Sequence, residues 1–261
     1  MGYYIKDDTM LKRYAGLALI LFFLCGSLAV HGAESGGNDA VVMVIQGTAR
    51  VYAKEIPKGR LLKKGDLIGK DQEVKVAEKS RLEMRFPDGT VMRLSEKSRL
   101  KMNELAFNKK TESKNVKVQL SVGKLWATVK KLSTPDSAVE VKTANAVAGV
   151  RGTVYRVNVE EDKSAVIKVY DGTVYVANPP KDVSKPSDKS LAPHQVSGPH
   201  EVPPPAHEVT MEEWHVIVKA MQQISITPQG VASKPQDIDP KADADDWVKW
   251  NQEMDKAIIE M

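Results

Sequence analysis

The stretch Arg81-Leu82-Glu83-Met84-Arg85-Phe86-Pro87-Asp88-Gly89-Thr90-Val91 decides the fold class. From Arg81 to Phe86 every second residue is apolar, the period of a strand with one buried face. Asp88-Gly89 then supplies a tight turn, which needs the positive φ that glycine adopts without steric cost. The same alphabet extends outward in both directions. Val41-Val42-Met43-Val44-Ile45, Lys117-Val118-Gln119-Leu120 and Val154-Tyr155-Arg156-Val157 are short, β-branched runs. Turn signals punctuate them at Gln46-Gly47, Pro57-Lys58-Gly59, Lys64-Gly65-Asp66, Val122-Gly123 and Asp171-Gly172. Residues 41–177 are therefore expected to form one mostly β domain of short twisted strands, with a roll, a sandwich and a solenoid-like stack all compatible. Asp88-Gly89-Thr90-Val91 and Asp171-Gly172-Thr173-Val174 repeat four residues, and Arg151-Gly152-Thr153-Val154 is a variant, as if one turn-then-strand device served three times.

Past this domain the composition changes. Residues 178–208 carry Pro179, Pro180, Pro186, Pro193, Pro199 and Pro203 to Pro205, which suit neither helix nor ladder, and read as an extended linker. Residues 209–261 read as an acidic helical tail with two short helices. Thr210-Met211-Glu212-Glu213 has the form of a capping box, and Trp214, Ile217, Val218 and Met221 then share one helical face. Ile224 to Thr227 reads as a short strand. The final helix is expected over about Asp243 to Ile259, with Trp247, Trp250, Met254 and Ile258 aligned and Asp243, Asp245 and Asp246 at its positive end.

At the other end, Lys12 and Arg13 precede an uncharged apolar run from Tyr14 to Cys25, then small residues. Residues 1–33 read as a secretory signal peptide cut between Ala29 and Ala33, with Met10 a candidate start. Leu24, directly before Cys25, does not fit a lipoprotein signal. The apolar stretch from Ala15 to Val30 falls short of the roughly 20 residues that span a bilayer, so a membrane enters only if this segment is retained. Cys25 is the single cysteine, so a cleaved chain has no thiol chemistry, disulfide or Cys-based zinc site. Charge divides unevenly. Residues 41–177 hold 27 Lys+Arg against 16 Asp+Glu, a net +11, while residues 178–261 hold 8 against 14, a net −6. Either the acidic tail docks on the basic domain or that domain meets an anionic surface.

The segment Glu140-Val141-Lys142-Thr143-Ala144-Asn145-Ala146-Val147-Ala148-Gly149-Val150-Arg151-Gly152-Thr153-Val154-Tyr155-Arg156-Val157 resembles the signature of the FecR domain. In that signature a strand runs into a Val-Arg-Gly-Thr turn and a second strand follows. The order of the other motifs is similar too: Gly47, the Gly65-Asp66 turn, Asp88-Gly89, Gly123 to Leu125, and the closing Asp171 to Val174. The resemblance covers about residues 41–177. It implies a periplasmic regulatory domain that acts through protein partners, with no cofactor. Members that act as anti-sigma regulators carry a cytoplasmic sigma-binding segment. At most fourteen residues precede the apolar run here, so the sequence reads as a stand-alone exported member.

Candidate residues follow from both readings. Arg151, flanked by Gly149 and Gly152 and followed by Thr153, could present a guanidinium to an anionic partner; a structural role for the turn is favoured. Trp214, Ile217, Met221, Trp247 and Trp250 are candidates for docking the tail. His194, His200 and His207 sit in the linker, which does not pre-organise metal ligands, so no metal site is expected. No Gly-x-Ser-x-Gly element and no selected carboxylate pair is present, so no catalytic residues are assigned. The partner expected is a protein of the cell envelope, with an anionic glycan such as peptidoglycan as the alternative and nucleic acid excluded by export.

Overall fold

Arg81 to Arg85 is a strand, and its register shows what the alternation does. Leu82 and Met84 are fully buried, and they face one core shared by nearly every strand. The computed structural model describes residues 37–108, 110–131, 134, 137–150, 152–179 and 215–259. The expected leader, the linker histidines, Arg151, the Thr210 capping box and Trp214 lie outside the described residues. Seventeen strands run among the described residues: β1 (Ala40–Gln46), β2 (Ala49–Ala53), β3 (Ile56–Leu61), β4 (Leu67–Ile68), β5 (Glu73–Val76), β6 (Arg81–Arg85), β7 (Val91–Leu94), β8 (Arg99–Asn108), β9 (Ser113–Thr128), β10 (Ala138–Lys142), β11 (Val147–Val150), β12 (Val154–Val159), β13 (Ala165–Asp171), β14 (Thr173–Ala177), β15 (His215–Lys219), β16 (Gln222–Ile226) and β17 (Gln236–Asp237).

The pairings define two layers. In the first, the order is β4–β1–β6–β7–β9–β12–β13–β16–β17, antiparallel throughout. In the second it is β3–β2–β5–β8–β9–β10–β11–β14–β15, antiparallel except for the parallel pair β9–β10. Strand β9 belongs to both. Val122 pairs with Arg99 in the second layer and Gly123 with Val159 in the first, so the strand changes layer between these two residues. Gly123 has φ +98°, and a Cβ there would lie 2.3 Å from the Ser98 Oγ and 2.5 Å from its Cα. The Ser98 hydroxyl accepts from the Lys124 amide at 3.0 Å and lies 3.2 Å from the Lys124 carbonyl, to which it can donate. The architecture is thus a two-layer β sandwich folded from one continuous sheet.

After residue 214 the expected helix gives way to a hairpin. His215 to Lys219 pairs with β14, and Gln222 to Ile226 pairs with β13. Ile217 and Met221 do lie at helical spacing, but Val216 and Val218 also alternate. Val218 is fully buried, and Met221 takes φ +61° in the turn. Three β-branched residues in a row beside an open sheet edge favour the ladder. The strand expected at Ile224 is present as β16. Two short helices end the chain, α1 (Pro240–Asp243) and α2 (Asp246–Ile259). Asp239 caps α1 by accepting from the Lys241 and Ala242 amides, with Pro240 at a position where no amide hydrogen is needed. Asp245 caps α2, accepting from the Val248 amide at 2.7 Å. Among the described residues no helix is long and apolar enough to cross a membrane.

Candidate functional site

Alternation gives the first layer an outer face of polar side chains, and register lines them up. Glu83 on β6, Arg93 on β7, Trp126 on β9, Arg156 on β12 and Lys168 on β13 sit directly opposite one another in a single cross-strand row. Such a row would ordinarily be solvated. Here Arg93 is 0% exposed, Glu83 3% and Arg156 4%, because α1 and α2 cover it.

The cover is held by carboxylates. Asp255 on α2 pairs with Arg93 at 2.6 Å and accepts from the Trp126 indole and the Thr128 hydroxyl, both at 2.9 Å. Arg93 also pairs with Glu83 at 2.6 Å. Asp243, at the end of α1, takes Arg156 and Lys168 at 2.7 Å and accepts from the Tyr170 hydroxyl at 2.7 Å. Asp245 lies 3.7 Å from both Arg156 and Lys124. Between these ion pairs sits an aromatic cluster separate from the main core. Trp126, Trp247 and Val248 are buried there with Val154, Tyr170 and Trp250 against them. Trp126 stacks on Tyr170 at 4.5 Å and Trp247 on Trp250 at 5.3 Å, while the Arg81 guanidinium lies 5.2 Å from the Trp250 ring centre. Burying side chains as large as Trp247 and Val248 contributes about 1.5–3 kcal/mol each.

The seam is not fully satisfied. The Arg93 Nη2, Arg156 Nε and Nη1, and Trp247 Nε1 donors and the Asn251 Oδ1 acceptor are buried without a hydrogen-bond partner among the described residues. Donors outnumber acceptors in that set.

Burial alone would raise the Asp243 carboxyl. The hydrogen bonds from Lys168 and Tyr170 and the charges of Arg156 and Lys168 outweigh it and hold the group below its ordinary value. Burial holds the Tyr170 phenol well above the usual range, opposed by Arg156 and reinforced by its bond to Asp243. A lowered folded-state pKa means that the Asp243 contribution is complete above the unfolded value of about 3.9 and is lost as pH falls through the folded one. Acidification below about pH 4 should therefore loosen the helices, read as a change in tryptophan fluorescence. Asp243→Asn should flatten that response; an unchanged acid transition would refute the assignment.

The signature glycines and Thr153 have a structural explanation. The turn from β11 to β12 passes from the second layer to the first, and the turn from β13 to β14 passes back. The two corners stack. A Cβ on Gly172 would lie 2.6 Å from the Gly152 carbonyl oxygen, and one on Gly152 would lie 2.9 Å from the Lys131 Cα. Thr153, 1% exposed, donates to the Thr173 carbonyl at 3.0 Å and stitches the corners together. Gly149 differs: its nearest neighbour to an added Cβ is 3.9 Å away and its φ is not positive. Gly149→Ala should change stability by less than about 0.5 kcal/mol, whereas Gly152→Ala should cost about 2–4 kcal/mol through strain and backbone crowding. Urea denaturation of the two variants separates them, and equal losses would contradict this reading.

The tail candidates divide. Trp247 and Trp250 lie in the aromatic cluster. Ile217, 54% exposed on β15, and Met221, 41% exposed in the β15–β16 turn, take no part in it. His215 is on the strand and stacks on Tyr175 at 5.7 Å. A groove of about 720 Å³ opens beside Trp247, where β9 changes layer. Its walls mix Lys79, Lys97 and Lys124 with Glu96, Glu160 and Glu161, so it does not select a simple anion. Arg93, Trp126 and Arg156, which hold the helices, escaped sequence reasoning because their alignment is a matter of register. The opposed charges of domain and tail were the available signal.

The fold defines a two-layer β sandwich whose outer face holds the chain's own C-terminal helices through buried ion pairs. Residues 72–175, from just before β5 into β14, match the model of the FecR protein family. Strands β1 and β2 before the matched span and β15 and β16 after it pair with strands inside it, β1 with β6, β2 with β5, β15 with β14 and β16 with β13. Two crystal structures of a candidate anti-sigma factor from Parabacteroides distasonis overlay with TM-scores of 0.43 and 0.42 at 16% identity. The overlay covers 64% of this chain and 60% of theirs, less than two thirds of their length. The search of curated proteins gives no match.

Proposed function

We propose that this chain is an exported, non-catalytic FecR-domain protein that works by binding another protein in the cell envelope, in a signalling role. The observation that carries the reading is the outer face of the first layer. Its buried polar groups (Arg93, Arg156 and the Trp126 indole) are committed to holding a polypeptide helix. The FecR match over residues 72–175 supports a signalling role of that type. Export rests on the apolar leader and the small residues between Ala29 and Ala33.

Two measurements test this. Fractionation with intact mass should find a periplasmic species beginning between Val30 and Glu34; an uncleaved, membrane-bound species would favour an anchored FecR-type component instead. A photo-crosslinkable residue at exposed Glu253 on α2 should give a discrete protein adduct in intact cells. Absence of any adduct there and at exposed Tyr175 would count against a protein partner.

A further inference from the structure

We infer that the outer face of the first layer is an exchangeable helix-binding site, in which α2 is the resident occupant and an acidic amphipathic helix of a partner protein takes its place. This deepens the protein-binding reading above and rests on it. Three observations carry it.

The first is chemistry. The row Arg93–Trp126–Arg156–Lys168 offers three cations around an indole, and α1 and α2 answer with Asp243, Asp245 and Asp255 around Trp247 and Trp250. Recognition of an amphipathic helix by an apolar surface with charges at its margins is a recurring mode of binding. The ligand it describes has two aromatics three residues apart and a carboxylate five residues beyond the second.

The second is imperfect fit. On the sheet side, Arg93 Nη2 and Arg156 Nε and Nη1 have no hydrogen-bond partner among the described residues, and each unmet donor weakens the resident's hold. Because all three are guanidinium donors of the sheet, a helix that brings a further carboxylate satisfies the face better than α2 does. That asymmetry specifies an acidic competitor rather than a neutral or basic one.

The third is the way the helix is attached. Among the described side chains of α2, Trp247, Val248 and Asn251 are buried, whereas Gln252, Glu253, Lys256 and Ala257 are exposed, and Asp255 adds the ion pair to Arg93. The β sheets close around their own core without any residue from α2. Release of the helix therefore leaves the sandwich core intact, and a competitor meets a preformed surface.

The probe is a fluorescein-labelled synthetic peptide with the sequence of residues 243–261, titrated into the full chain and followed by anisotropy. In wild type the resident helix occupies the face, and the competent fraction limits apparent affinity. Trp247→Ala weakens the resident without altering the row on the sheet, so it should bind the peptide at least about ten-fold more tightly than wild type. Trp250→Ala, at a less buried position, should give a smaller gain in the same direction. A scrambled peptide should bind neither.

If both variants keep their β circular dichroism yet bind no more tightly than wild type, the face is not exchangeable and the inference fails. If the variants exchange α2 between two copies and become dimers, the occupant is a second copy and the partner assignment is overturned. Peptide exchange without any cellular cross-link would leave the site standing and remove the envelope-partner reading, so the two can fail separately.

Discussion

Arg93→Ala lowers the stability of the folded chain by about 3–5 kcal/mol, the cost of leaving buried charge without its partner. Arg93 has no exposed surface and serves two carboxylates at 2.6 Å, Glu83 and Asp255. Removing it strands the Glu83 carboxylate under α2 and releases the helix's main ionic tie. The double variant Glu83→Leu with Arg93→Met should recover much of the loss, because replacing a buried pair by apolar groups of similar volume is often nearly neutral. Urea midpoints read both effects. A loss below about 1 kcal/mol in the single variant would mean that the row behaves as a surface ion pair. The single variant should also shift tryptophan fluorescence, since Trp250 lies 5.9 Å from the Arg93 guanidinium.

Gly123→Ala is expected to cost about 3–5 kcal/mol, combining a strained backbone with overpacking. The clash is with the Ser98 Cα as well as its hydroxyl, so a rotamer change at Ser98 cannot relieve it. A Ser98→Gly background removes the side-chain part of the conflict and should recover part of the loss. If Gly123→Ala alone melts with wild type, the bend in β9 is more accommodating than its φ of +98° implies.

The β class was legible because alternation is local. Arg81 to Phe86, Lys117 to Leu120 and Val154 to Val157 each state their own periodicity. Tail docking was half legible: a net +11 domain followed by a net −6 segment left contact between them as one of two outcomes. What brings Glu83, Arg93, Trp126, Arg156 and Lys168 into one row is the pairing register of five strands, and a shift of one residue would turn any of them inward. That information is tertiary. The hairpin at residues 215–226 shows the opposite problem, since Val216 to Val218 satisfies both helical and strand periods until the open edge of β14 decides between them. Likewise, the Gly152 and Thr153 positions of the signature announce a turn, but only the neighbouring corner at Gly172 explains why no side chain fits.

Strand β9 joins the two halves of the chain. It pairs with β7, β8, β10 and β12, so it is the one strand through which the early and late halves of the chain are joined in both layers. Without β9, β1 to β8 have pairings of their own in each layer but no strand common to both. With it, β10 and β12 pair with the same strand. β8 and β9 form a local hairpin, with Asn108 opposite Ser113, whereas β7–β9 and β9–β12 are non-local, so closure of the first layer on β9 is expected to be the slow step, on the scale of about milliseconds to seconds. Substitutions near Gly123 should act mainly on the folding rate, whereas those in α2 should act mainly on the rate of unfolding. The same bend that lets one strand serve two layers thus ties the stability of each half of the chain to the other.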